Sequence, residues 1–92
     1  MDPFERQLIA EMRLGEEAAR FFKSDIGRLV LGRTQQEIDS ALEDFKSVSP
    51  TDQDKIRALQ FKIQVAEKIP LWLNECIIAG NNAFQTIDQG EE

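Results

Sequence analysis

The stretch Ser47-Val48-Ser49-Pro50-Thr51-Asp52 decides the fold, because it interrupts two long amphipathic patterns lying on either side of it. Pro50 pushes the residue before it out of the helical region, which ends the first pattern. Thr51, with Asp54 three residues later, resembles a capping box and restarts a helix at once. Two long helices joined by so short a connection run antiparallel. A helical hairpin is therefore expected.

Upstream of the turn, Leu31, Thr34, Ile38, Ala41, Phe45 and Val48 fall at alternating spacings of three and four, the mark of one helical face. Ile26, Val30 and Leu42 widen that face, while Gln35, Gln36, Asp39, Glu43 and Lys46 point away from it. Ser24 or Asp25 is placed to cap the start. Gly27 and Gly32 either weaken the first turns or let another helix approach closely. Downstream, Ile56, Leu59, Ile63, Ala66, Leu73, Ile77, Phe84 and Ile87 fit one heptad register, which also takes in Pro70 and Gly80. Pro70 lacks a backbone donor and its ring clashes with the preceding turn, so a kink or a break is expected near Ile69. Gly80-Asn81-Asn82 is a second weak point, where the helix ends or frays. If helical throughout, residues 51–87 span about 50 Å at about 1.5 Å per residue. A chain of 92 residues cannot cover such a rod along its whole length. Part of it is expected to meet something else.

The amino terminus carries its own start signal, with Asp2 as N-cap, Pro3 in the first helical position and Glu5 completing a capping box. Phe4, Leu8, Met12, Ala19 and Phe22 recur at helical spacing from there. Helix is expected from about Pro3 to Leu14. Its continuation to Lys23 depends on Gly15, which costs about 1 kcal/mol relative to Ala inside a helix. The expected architecture is all-α: a single domain over 1–92 with helices at about 3–23, 25–48 and 52–87 and a short acidic tail. It is an antiparallel hairpin plus an N-terminal helix, bundle-like, with the last helix kinked near Pro70.

Composition bounds the function. A formal net charge of −6 and a pI near 4.6 disfavour direct nucleic-acid binding, which needs an excess of Lys and Arg. The chain has no histidine, so the commonest general base and metal ligand is missing. The single cysteine, Cys76, makes neither an internal disulfide nor a Cys/His pair. No glycine-rich phosphate loop follows a strand, since Gly27 and Gly32 lie within a helical pattern. Glu16/Glu17 and Glu43/Asp44 read as solvated faces. No catalytic residue, cofactor or metal is expected. Neither a signal peptide nor a membrane span is legible, so the expected location is the cytoplasm.

Two charge features point to ordinary surfaces. Arg6, Arg13 and Arg20 are seven apart and could face an acidic partner, but Glu16 and Glu17 lie within a turn and favour ion pairing. From Ile69 onward there is no Lys or Arg, yet Glu75, Asp88, Glu91 and Glu92 are too sparse for a phosphate-like array. The densest apolar region is Ile69, Leu71, Trp72, Leu73, Cys76, Ile77 and Ile78, which covers too much of the helix circumference for one buried face. Either it forms the centre of a three-helix core, or one side binds a partner. Trp72 is the best anchor, with Ile69, Leu73, Cys76 and Ile77 as the surrounding partner-binding candidates.

Phe22 to Ser24, Ile26-Gly27-Arg28, Leu31-Gly32-Arg33 and the hairpin residues Asp52-x-x-Lys55-Ile56-x-x-Leu59-Gln60 together resemble short all-helical proteins of tailed bacteriophages. The resemblance covers about residues 19–87 and rests on helix-hairpin patterns. It implies a viral protein acting in the bacterial cytoplasm or the virion, and carries no active residues. The expected function is that of a non-catalytic interaction protein binding and inhibiting a host or anti-phage defence factor. The alternative is an assembly protein that self-associates through its long helices. The expected partner is thus another protein or a second copy in a homodimer, with neither nucleic acid nor membrane involved.

Overall fold

Three helices make up the described part of the chain: α1 (Pro3–Lys23), α2 (Asp25–Phe45) and α3 (Gln53–Gly90). The structure is a computed structural model that describes residues 2–90. The Glu91-Glu92 end of the acidic tail lies outside the described residues, among which no strand occurs. Asp2 caps α1 as expected, its Oδ1 accepting the Glu5 N–H at 2.8 Å. Gly15 is passed without interruption. Between α1 and α2 a single residue, Ser24, leaves the helical region with φ −75° and ψ 158°. It serves both ends, because its Oγ donates to the Phe21 carbonyl (2.8 Å) and accepts the Gly27 N–H (2.9 Å).

The hairpin turn differs in detail from its sequence reading. α2 stops at Phe45 rather than Val48. Lys46, Ser47 and Val48 instead donate to carbonyls three residues back, at 3.1, 3.2 and 3.4 Å, tightening the chain ahead of Pro50. Asp52, not Thr51, accepts the first free N–H of α3, from Lys55 at 3.2 Å. Thr51 is held by Ser49, whose Oγ lies 2.9 Å from its Oγ1. The helix is therefore capped one residue later than the spacing suggested, by Asp52 alone, because Lys55 three residues on has no acceptor with which to complete a capping box.

α3 is continuous for 38 residues, through both Pro70 and Gly80, and reaches Gly90 instead of ending near Ile87. The break considered at Pro70 does not occur. A proline leaves the carbonyl four residues back, here Ala66, without its helical donor, a local loss that packing on either side outweighs. Gly80 is buried inside the helix rather than fraying it.

α1 and α2 lie on successive lengths of α3. Phe4 and Leu8 lie beside Thr86 and Ile87, and Met12 and Ala19 beside Ile77 and Phe84, so α1 runs antiparallel to the second half of α3. Leu29 and Glu37 lie beside Ile69 and Phe61–Lys62, so α2 runs antiparallel to the first half. Contact between α1 and α2 is slight by comparison. At about 1.5 Å per residue α3 is about 57 Å long, and the longest dimension of the molecule is 60 Å. One helix thus spans the protein from end to end.

The inner faces are built from small residues. The buried hydrophobic side chains are Leu8, Ala18, Ala41, Leu59 and Ala83, with Gly15, Gly27 and Gly80 buried beside them. Ile38, Phe45, Ile56, Ile63, Ala66, Leu73 and Ile77 are half-buried along the predicted seams. Phe84 departs from the heptad reading: Ala83 takes the inner position and Phe84 is exposed. Where α1 and α3 cross, a Cβ on Gly15 would come 2.9 Å from the Cys76 carbonyl and 3.1 Å from the Gly80 Cα. The two backbones touch there, which only a pair of glycines permits.

Gly32 provides the contrast, since a Cβ there meets nothing within 4 Å. Gly32→Ala is expected to stabilise the protein by about 0.5–1 kcal/mol through helix propensity alone. Urea unfolding followed by circular dichroism measures it, and a loss of stability would show that Gly32 is covered in solution.

Candidate interaction surface

The radius of gyration is 18.7 Å, whereas a compact domain of this length has about 12 Å. The accessible surface is 7137 Å², against about 5400 Å² for a monomer of the same mass. The difference is about 1700 Å². Its cause is the layout, because a layer two helices thick gives each residue of α3 one covered side at most. Among the described residues no large side chain is fully buried.

One flank of α3 carries a continuous row of uncovered apolar side chains. Ala58, Phe61, Val65, Ile69 and Trp72 recur at three- and four-residue spacing and are all exposed, Phe61 at 67% and Trp72 at 55%. α2 adds Leu29 and Val30, and together the two helices line an open apolar groove. Its rim is polar. Lys62 Nζ lies 3.4 Å from Glu37 Oε2, linking α3 to α2 across the groove, and Arg33 stands beside them. Lys68 Nζ sits 6.0 Å from the centre of the Trp72 ring, at the limit of a cation–π contact. An apolar centre with a polar rim is the anatomy of a protein interface.

The five partner-binding candidates divide between two faces. Ile69 and Trp72 are on the exposed flank. Leu73 and Ile77 are half-buried on the inner seam, and Ile77 packs near Met12, Gly15 and Gly80. Cys76 is half-buried, with its carbonyl against Gly15. Leu71 and Ile78, seven residues apart, are exposed on the far flank. The turns around Trp72 are therefore apolar on more than one side, as their composition required. Phe61, Val65 and Leu29 were missing from the sequence reading, although the 58-61-65-69-72 spacing marks a second stripe beside the heptad seam.

The rest of the surface is ordinary. Arg6, Arg13 and Arg20 are exposed, and the expected ion pairs with Glu16 and Glu17 do not form. Among the described residues the ion pairs are Lys62–Glu37 and the exposed Lys46–Glu43 at 2.9 Å. No cluster of three His, Cys, Asp or Glu side chains among the described residues could hold a metal ion. Among the described residues no helix is long and apolar enough to cross a membrane. No family model matches the chain, and no curated protein or solved structure is significantly similar to it.

Proposed function

We propose that this is a non-catalytic interaction protein whose working surface is the apolar flank formed by α2 and α3. The observation that carries the reading is the unbroken exposed row from Ala58 to Trp72. Contiguous exposed apolar patches, unlike apolar residues scattered singly, mark interaction sites. Two further observations support it. Among the described residues no polar or charged side chain is buried, so none of their acids, bases or nucleophiles sits in the desolvated setting that tunes such groups for catalysis. The net charge of −6 is spread over many exposed side chains, which keeps the isolated chain soluble despite the flank. On the resemblance to phage helical proteins, the surroundings are the bacterial cytoplasm, and inhibition of a host or defence protein is the activity such a surface would serve.

The reading is tested by comparing what the wild-type chain and the Phe61→Glu and Trp72→Glu chains retain from bacterial lysate, including untagged copies of the chain itself. Both substitutions are at exposed positions, so both proteins are expected to keep wild-type circular dichroism and to lose the retained protein. Unchanged retention by both would sink the reading.

A further inference from the structure

We propose that the Ser24 junction is a strap that holds α3 against a bend built into it at Pro70. The chain is then two lobes, α1 with the second half of α3 and α2 with the first, kept in line by one residue. The inference concerns the inner side of α3 and does not depend on what meets its apolar flank.

The two irregular points of the chain lie at one level. Gly15 stands against Cys76 and Gly80 where α1 crosses α3. α1 runs antiparallel to α3, so Ser24, nine residues beyond Gly15, falls level with the stretch nine residues before those two, at 67–71. α2 gives a neighbouring level. Leu29 lies beside Ile69, and Ser24, five residues before Leu29, falls just over one turn beyond Ile69. Both placements set Ser24 opposite the turns around Pro70. Pro70 is half-buried, on the same inner side as Ala66 and Leu73, and so faces the junction. Its ring crowds the Ala66 carbonyl on that side, and no hydrogen bond draws the two together. Pushing them apart lengthens the inner side of α3, and the helix then bends away from α1 and α2.

Such a bend separates the end of α1 from the start of α2. Ser24 alone spans that gap, and it has no slack. Its N–H donates to the carbonyls of Arg20 (2.9 Å) and Phe21 (3.1 Å), and its own carbonyl accepts the Arg28 N–H at 2.9 Å. With the two Oγ bonds to Phe21 and Gly27, five hydrogen bonds tie this residue to both helix ends. The start of α2 presses on the end of α1 so closely that a Cβ at Gly27 would fall on the Phe21 carbonyl. Elsewhere α1 and α2 touch little, while each is seated along its own half of α3. Strain at Pro70 is therefore opposed chiefly at this one point.

Distances between spin labels test the strap. In a Cys76→Ser background, Arg13→Cys with Gln36→Cys reports the separation of the lobes. Arg13→Cys with Asp88→Cys reports the seat of α1 on α3, and all three labelled positions are exposed. A bend of about 20° acting about 10 Å from the α3 axis opens the α1–α2 side by about 3–4 Å. The chain with its junction intact is expected to give a narrow lobe-to-lobe distance. Two glycines inserted after Ser24 are expected to lengthen and broaden that distance by the amount of the bend. Ser24→Ala, which keeps the chain length but removes both Oγ bonds, is expected to broaden it as well. Pro70→Ala is expected to restore the narrow distance in each, with the α1–α3 distance constant throughout. Lengthening or broadening in either variant that Pro70→Ala reverses supports the strap. A distance unchanged in both variants, or already broad with the junction intact, overturns it. So does an effect that persists with Pro70→Ala, which places the give in the linker rather than in α3. A change of the α1–α3 distance in both variants also overturns it, since Ser24 would then only hold α1 in its seat.

Discussion

Gly27→Ala is expected to destabilise the protein by about 3 kcal/mol or more, at the upper end of what overpacking costs. A Cβ at this position would fall on the Phe21 carbonyl and lie 2.9 Å from the Ser24 Oγ. Neither obstacle can move cheaply. The Phe21 carbonyl accepts from both the Ser24 N–H (3.1 Å) and the Ser24 Oγ–H (2.8 Å), so shifting it opens the link between α1 and α2. A chain of 92 residues has roughly 5–14 kcal/mol of stability in total, at about 0.05–0.15 kcal/mol per residue. The loss is a large part of that. Gly32→Ala, five positions along the same helix, is expected to shift stability in the opposite direction, so the pair separates geometry from propensity. A Gly27→Ala protein as stable as wild type in urea would mean that the Ser24 junction is wider in solution.

Gly80→Leu is expected to cost about 3 kcal/mol, by driving α1 off the second half of α3. Even the first carbon of the new side chain would lie 3.0 Å from the Glu11 carbonyl and 3.1 Å from the Gly15 Cα. Both are backbone atoms, so the strain is relieved by moving a helix rather than a rotamer. Moving it exposes Leu8, Ala18 and Ala83, which are buried beside this crossing. Urea unfolding gives the magnitude, and amide exchange gives the place. Protection should fall along Pro3–Lys23 and persist in α2 and the first half of α3. Uniform loss of protection in all three helices would show that the crossing is not separable from the rest. Gly80→Ala should cost less, because a gain of about 1 kcal/mol in helix propensity offsets part of the crowding.

The helices were legible because their signals are local. Apolar spacing, Asp2 before Pro3 and the Pro50 turn each act within a few residues, and all three elements follow from them. Boundaries slipped where two local solutions compete. Thr51 and Asp52 are both capping residues, and the tightened turn after Phe45 keeps Val48 half-buried without keeping it in the helix. The roles of Gly15 and Gly80 were not legible, since a glycine at a backbone crossing and one in a weakened helix look alike until the partner is known. The same holds for the flank. Its row from Ala58 to Trp72 has helical spacing as good as the heptad seam beside it, and only the placement of α1 and α2 shows which of the two is covered. Trp72 and Ile69 were found because they lie where the rows crowd together, and Phe61 and Val65 were missed because they do not.

The placement of α1 on the far half of α3 also orders how the chain comes together. α2 and the start of α3 face each other across the short turn at Pro50 and can meet as soon as both exist, at little cost in loop entropy. α1 has no such neighbour. Leu8 waits for the stretch near Ile87, at the opposite end of the sequence, and Gly15 waits for Gly80. During synthesis α1 is therefore made before α2 and α3 and yet is the last of the three to find its seat, an uncommonly non-local arrangement for a small helical protein. Until the final turns of α3 emerge, the inner side of α1 is one more apolar surface in search of a partner.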